Sequence, residues 1–562
     1  MKWEVYEPNP RLQKVLAESL GVSAACAQIL TNRGLTSPEA ARDFLFGGLF
    51  SCVDPFLMKD MASAVERIHA AVKKSEKILI YGDYDVDGVT STALLADIFA
   101  QLGAEYETFI PNRIDEGYGL NENAVVSASE RGIKLIVTVD CGISAVREVE
   151  RANELGIDVI ITDHHEVKGG NLPPAYAIID PHQADCGYPF NYLAGVGVAY
   201  KLARALMKGR EYIVEEHLDL VALGTIADIV PLNGENRVLT KSGLLKLKNS
   251  KRPGLKALMD LAGIDSEKIT SRYIGFALAP RINAMGRVGS ADVSLELLTC
   301  KCQKRAGEIA QILDRENKNR QAIEKDILKQ ALARAKDEID LDSERVIVLA
   351  SDSWHAGVIG IVASRLTEEY SKPVILIALK EGMGKGSGRG VEGFNLFGAV
   401  DSAKEYLLNF GGHKEACGIR IKEEDIEHFR KKINETAKEY FEKESVDEPR
   451  LKIDYSLPFS LLSKKFVNEL NALMPHGHGN REPIFSSNRL TVKNTPRTIG
   501  RNGLKFLVSS GSIACEAVHF GKKFTVQPRQ GDIIDLAYTL SINTWNNVDS
   551  IQLNIEDLQQ AK

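Results

Sequence analysis

The chain has 562 residues, 44% of them apolar and 26% charged, with a formal net charge of −6. That is the composition of a soluble globular protein of roughly three to four domains, and its acidity argues against a protein that coats nucleic acid non-specifically. No apolar run reaches the length of a membrane span, the start Met1-Lys2-Trp3-Glu4-Val5 has no secretory pattern, and eight scattered cysteines form no CxxC pair, so a reduced, cytoplasmic protein is expected.

Residues 1–70 read as short helices punctuated by Pro8, Pro10, Pro38 and Pro55. From Lys77 the pattern becomes an alternation. Strands are predicted at Lys77–Tyr81, Glu107–Ile110, Lys134–Val139 and Asp158–Ile161, with helices over Val89–Leu102, Asn123–Glu130 and Ser144–Leu155. Such alternation predicts an α/β fold with a doubly wound parallel sheet. Ligands of such sheets bind beyond the carboxyl ends of the strands. Residues 190–300 look mostly helical, and Gln303–Ile339 reads as a long charged helix, a solvated connector. A second α/β unit begins at Val346–Ala350 and runs to about Ala437. Beyond Arg450, short strands at Leu490–Lys493, Phe506–Ser509, Ile533–Leu540 and Ile551–Ile555 suggest an OB-type β-barrel. The expected domains are therefore 1–70, 71–300, a connecting helix 301–340, 341–445 and 446–562. The last is mildly basic, with 13 Lys/Arg against 9 Asp/Glu over 451–562.

Four short motifs carry the chemistry. Gly82-Asp83-Tyr84-Asp85-Val86-Asp87-Gly88 follows the first strand, and three carboxylates at i, i+2 and i+4 repel one another unless a cation is present. The competing explanation is an Asx-rich turn capping the next helix. Val139-Asp140-Cys141-Gly142 and Thr162-Asp163-His164-His165 follow later strands, and Asp228 lies in the apolar run Gly224-Thr225-Ile226-Ala227-Asp228. Adjacent imidazoles in extended chain cannot point the same way, so one of His164 and His165 is read as a ligand and the other as a phosphate- or proton-handling group. Oxygen donors with one or two imidazoles suit Mn²⁺ or Mg²⁺. Two ions about 3.5–4 Å apart suit in-line attack on a phosphodiester. The joint pattern points to a two-metal phosphoesterase.

The set GDYDVDG, VDCG, TDHH and GTIADIVPL resembles the DHH phosphoesterase family, and over essentially the full length the chain resembles its bacterial branch of single-strand-specific 5′→3′ DNA exonucleases. The resemblance implies that Asp85, Asp87, Asp140, His164 and Asp228 ligate two Mn²⁺ or Mg²⁺ ions, with Asp83 ligating or supporting. It further implies that His165 contacts the scissile phosphate. Catalytic roles fall to His165, Arg281 and Asp140. In Pro111-Asn112-Arg113, Gly117-Tyr118-Gly119 and the Gly384–Arg389 segment, read as a glycine-rich turn, Arg113, Ser387 and Arg389 resemble a pocket for the DNA 5′ phosphate. Tyr118 and His413 join the substrate side, and Arg281 and Asn283 hold the backbone near the cut. Gly195-Val196-Gly197 is set aside as a dinucleotide loop and assigned to close helix packing. Trp354 could be core or stacking platform. In the terminal module Phe506, Phe520, Phe524 and Trp545 are interleaved with Lys505, Lys522, Lys523 and Arg529, a pattern that can track a single strand. The expected partner is single-stranded DNA with a 5′ end, joined by a single-strand-binding protein and a helicase on the resemblance alone; the chain is expected to be monomeric. The alternatives are a phosphodiesterase of short oligonucleotides or cyclic dinucleotides and a non-catalytic DNA-binding scaffold.

Overall fold

The strand Ile78–Tyr81 is buried on both faces, which is why its sequence Ile-Leu-Ile-Tyr shows no apolar–polar alternation. Ile78 and Ile80 enter an apolar layer shared with helices Val86–Leu102, Gly195–Leu206 and Leu218–Ala227. Leu79 and Tyr81 enter a second layer under helices Glu122–Glu130 and Val146–Glu154. The parallel sheet runs in the order Tyr106–Phe109, Ile78–Tyr81, Leu135–Val139, Asp158–Thr162, Ala177–Ile179. The chain leaves the Ile78–Tyr81 strand to one side and returns on the other. A crevice therefore opens past the carboxyl ends of Ile78–Tyr81 and Leu135–Val139, where the strand order reverses. The computed structural model describes residues 2–112, 116–117, 119–167, 170–443, 450–500, 503–521, 527–545 and 548–561.

The long helix spans Gln303–Glu338 and is no solvated connector. Its first half buries Ile309, Ala310 and Leu313 in the core of the parallel-sheet domain. Its second half buries Ile327, Ala331 and Ala335 in the next domain. The dense charges hid this apolar stripe because small alanines, which carry little hydropathy, supply much of it. The helix fixes the two domains to a common spine.

The second domain has a mixed sheet in the order Leu407–His413, Ala416–Lys422, Met383–Arg389, Val374–Lys380, Ile347–Ser351, in which the last pair is parallel. Here the expected glycine-rich turn proves to be a central strand. Residues Met383–Arg389 pair on both sides, Ser387 lying opposite Leu376 and Gly418. The backbone N–H groups of a central strand serve the ladder and are not available to cradle an anion. The glycines are there for packing: a Cβ on Gly386 would meet Ile419 Cγ1 at 2.5 Å, and one on Gly388 the Cys417 sulfur at 2.5 Å. Trp354 is core, its indole N–H donating to Gln330 Oε1 at 3.0 Å.

Residues Phe485–Val492, Ile533–Trp545, Val548–Gln560, Ile513–His519 and Gly503–Ser510 form a closed ring, because Phe485–Val492 also pairs with Gly503–Ser510. Five strands closed in this way make a small barrel of OB type. The expected helical segment 1–70 divides in two. Strand Lys2–Val5 pairs in parallel with Arg450–Ile453, and helices Pro10–Leu20, Ala24–Asn32 and Pro38–Phe46 share the barrel's apolar core. Helix Met61–Lys73 packs on the parallel sheet instead. Arg237, 2% exposed, ties the two regions together: its guanidinium donates to the carbonyls of Phe44, Ala472 and Leu473 at 2.8–2.9 Å and lies 3.9 Å from the Phe44 ring centroid.

Candidate metal centre

The loop after Ile78–Tyr81 turns into helix Val86–Leu102 through Asp85, whose Oδ1 accepts the N–H groups of Asp87 and Gly88 at 2.9 and 3.2 Å. The carboxylate is a helix cap as well as a member of the cluster. Gly88 allows the fold-back, since a Cβ there would meet the Asp83 carbonyl oxygen at 2.4 Å. Asp87, 1% exposed, lies across the start of helix Gly195–Leu206 and accepts the N–H groups of Gly195 at 2.6 Å and Val196 at 2.8 Å. A buried carboxylate at a helix N-terminus is stabilised by its unpaired N–H groups. Asp140 follows the adjacent strand in a left-handed conformation, φ 61°, with its N–H bonded to the Thr162 carbonyl at 3.0 Å. That backbone state is uncommon for a side-chain-bearing residue, though Asp tolerates it better than most.

His164 comes from the next strand end. Its Nε2 lies 3.2 Å from Asp140 Oδ1, 3.6 Å from Asp228 Oδ2 and 3.9 Å from Asp87 Oδ2. Donor atoms of Asp87, His164 and Asp228 lie within 4.8 Å of one another, as do those of Asp83, Asp85 and Asp140. Among the described residues His164 Nε2 is buried with no hydrogen-bond partner. A buried nitrogen lone pair facing three carboxylates is the arrangement a divalent cation satisfies.

The electrostatics say the same. Burial first, and then the neighbouring Asp85, push Asp87 up to about 7. Burial and the other carboxylates raise Asp140 and Asp228 well above the usual range. Burial and the neighbouring His165 push His164 down to about 3, so it is a neutral ring able to act as a ligand. This is a set of oxygens with one neutral imidazole, and no thiolate, which fits Mn²⁺ or Mg²⁺.

The two adjacent histidines differ in their partners, although a nitrogen of each and a carboxylate oxygen of Asp140 lie within 4.8 Å of one another. His165 Nδ1 lies 2.7 Å from Asp163 Oδ1, and the rings meet at a centroid distance of 4.4 Å. Burial alone would lower His165, but the Asp163 carboxylate outweighs it and raises the imidazole to about 9. Asp163 is fully buried and also accepts the N–H groups of His164 at 2.8 Å and Ile143 at 2.9 Å. Despite its burial, these contacts hold it below the usual carboxylate range. Sequence reading assigned Asp163 no role; its signal was its position in front of the two imidazoles.

Gly195 and Gly224 were missed as well. A Cβ on Gly195 would meet Asp140 Oδ1 at 2.7 Å, and one on Gly224 would meet Asp87 Oδ1 at 2.8 Å. Gly195 therefore makes room for a carboxylate and donates to another. Gly197 faces Leu193 in the loop just before its own helix, where a Cβ would meet Leu193 Cδ2 at 3.2 Å.

Comparison with known proteins bears on the whole chain. Residues 77–225 match the DHH family N-terminal domain, 343–439 the DHHA1 domain and 453–557 the RecJ OB domain. The single-stranded-DNA-specific exonuclease RecJ of Bacillus subtilis is 40% identical over 99% of this chain and 70% of its own length. That of Escherichia coli is 35% identical over 89% of this chain and 90% of its own. The chain belongs to the RecJ family. The structure of Thermus thermophilus RecJ in complex with Mn²⁺ superposes with a TM-score of 0.85 at 30% identity, covering 100% of this chain and 80% of that one.

On the RecJ framework the remaining expected residues occupy several places. Asn283 accepts the Val86 N–H at 3.0 Å, so it steadies the aspartate loop. Arg281, on the same helix Ala279–Val288, donates from Nε to Asp314 Oδ1 at 3.0 Å and from Nη1 to the Ala277 carbonyl at 2.7 Å. Ser387 and Arg389 project toward the start of helix Ile359–Tyr370, where a Cβ on Gly360 would meet Ser387 Oγ at 2.9 Å and Arg389 Nη2 at 3.2 Å. His413 is exposed at the end of an edge strand. Arg113, Tyr118, Lys522, Lys523 and Phe524 lie outside the described residues, as does the Trp545 side chain. Phe506 is barrel core, Phe520 is 73% exposed, and Lys505 pairs with Glu516 at 2.7 Å.

Proposed function

We propose that this RecJ-family protein is a single-stranded-DNA-specific exonuclease that removes 5′-mononucleotides from a 5′ end. The observation that carries the reading is the convergence of five carboxylates and the His164 Nε2 at the switch point of a parallel sheet. Asp83, Asp85, Asp87, Asp140, His164 and Asp228 would hold the metal. When bound, paired Mn²⁺ or Mg²⁺ ions activate water and neutralise charge at the phosphorus.

The chain's own groups do the rest. Asp163 fixes His165 through Nδ1 and keeps it cationic at neutral pH, so the opposite ring nitrogen is the one that donates to a phosphate oxygen as charge builds there. Ser387, Arg389 and the start of helix Ile359–Tyr370 form an anion site for the 5′ phosphate. Arg113, Tyr118 and His413 are assigned to the same strand. Arg281 would exchange Asp314 for the DNA backbone or hold the helix beside it. Duplex is excluded by cleft width, so base sequence matters little. Among the described residues no helix is long and apolar enough to cross a membrane; we place the enzyme in the cytoplasm as a monomer, working with a single-strand-binding protein and a helicase.

The test is a long strand labelled at either end, incubated with Mn²⁺, Mg²⁺ or chelator. Early release of the 5′ label as mononucleotide, abolished by chelator and absent on blunt duplex, is expected. Inert long strands beside rapid dinucleotide cleavage would instead place the enzyme among phosphodiesterases of short substrates.

A further inference from the structure

The helix that carries Asn283 begins with an irregularity. Residues Ile274–Leu278 form a π-helical turn that leads without a break into Ala279–Val288. Such turns are rare and gather at functional sites. Ile274 and Leu278 are buried, whereas Phe276 between them is 82% exposed. A large aromatic ring held this far into solvent has no packing role in the free protein.

Its position along the helix relates it to the cleft. Asn283 and Arg287 stand at i and i+4, one face of the α-helix, and Phe276 precedes Asn283 by seven residues, within the wider π-helical turn that begins the helix. Asn283 touches the aspartate loop at Val86, and Arg287 donates to the Gly357 carbonyl of the second domain at 3.2 Å. Asn283 and Arg287 therefore face the cleft between the domains. The carboxyl end of the helix meets the domain bearing Ser387 and Arg389, its middle meets the aspartate loop, and Phe276 lies toward its amino end. Seven residues correspond to about 10 Å along the axis, or about three stacked nucleotides. The turn also packs against helix Leu218–Ala227, which ends at Asp228. Ile229, next in sequence, is 69% exposed.

We propose that Phe276 is a stacking platform for bases of the incoming strand on the 3′ side of the scissile bond, opposite the 5′-phosphate pocket. The proposal rests on the exonuclease reading. A ring face accepts any base, so it would hold the strand in register without sequence preference and would disfavour a paired, fully stacked duplex.

The experiment compares the full-length protein with Phe276→Ala and Phe276→Trp on a long 5′-phosphorylated strand in Mn²⁺. A single abasic site is moved through the first few nucleotides. Phe276→Ala should raise KM about 5- to 100-fold, the range for loss of one stacked base, with kcat nearly unchanged; Phe276→Trp should restore KM. For the wild type, an abasic site about three nucleotides from the cut should raise KM to the same degree and should add nothing further to Phe276→Ala. An unchanged KM in Phe276→Ala, or abasic and alanine effects that multiply, would overturn stacking while leaving the exonuclease reading intact. A wild type that leaves the strand untouched would refute the exonuclease reading, and this proposal with it.

Discussion

Asp87 Oδ2 accepts the N–H of Gly195 at 2.6 Å across 108 residues of sequence. The same glycine lacks the Cβ that would otherwise meet Asp140 Oδ1 at 2.7 Å. One residue thus orients one carboxylate and admits another, and the cluster exists only while the helix Gly195–Leu206 starts there. Gly195→Ala should lower Mn²⁺ affinity about 10- to 100-fold, the usual effect of disturbing groups behind a metal's ligands. Titration calorimetry with Mn²⁺ alone measures it. Wild-type affinity in a folded variant would show that the approach is not needed.

Asp163→Asn removes the charge that raises His165 to about 9. The imidazole should then fall to its ordinary value or below, because burial is left unopposed. The alkaline limb of the pH–rate profile should move down by two or so units, and kcat at pH 8 should drop at least tenfold. The melting temperature, recorded in parallel, separates this from unfolding. A profile that does not move would remove His165 from the reaction.

The carboxylate cluster couples stability to pH. Asp87 rises to about 7 in the folded chain, and Asp140 and Asp228 rise as well. A carboxyl with a raised folded value contributes stability below its unfolded value near 4 and loses it as pH climbs through 7. With chelator present, the melting temperature should therefore fall between pH 6 and pH 8. Added Mn²⁺ should raise it, and by more at pH 8, since binding then displaces fewer protons. A metal-induced gain equal at both pH values would contradict the raised carboxyls.

Arg237→Ala should cost about 3–5 kcal/mol, because it leaves three carbonyls without their buried charged donor. Chemical denaturation reads the loss, and limited proteolysis should find the junction near Phe44 and Ala472 newly sensitive. A loss below about 1 kcal/mol would mean that water replaces the guanidinium.

Much of this was legible in the chain itself. Strand–helix alternation from Lys77 dictated the parallel sheet, and the carboxylates and histidines after successive strands identified the chemistry, because strand ends of such a sheet face one crevice. Local sequence also announced four of the five strands that close into the terminal barrel, though not Ile513–His519. Tertiary structure alone decided the rest. Gly384–Arg389 looked like a loop because glycine is permissive, yet crowding by Ile377, Ile419 and Cys417 selects glycine in that strand for its size. The long helix looked solvated because its buried stripe of Ala306, Ala310, Ala331 and Ala335 has little hydropathy. The partnership of Asp87 with Gly195, the hold of Asp163 on His165, and the union of the first helices with the barrel core all join residues by proximity in space. Periodicity and spacing report what a residue presents to its own element; only packing determines which distant backbone N–H or carbonyl arrives to meet it.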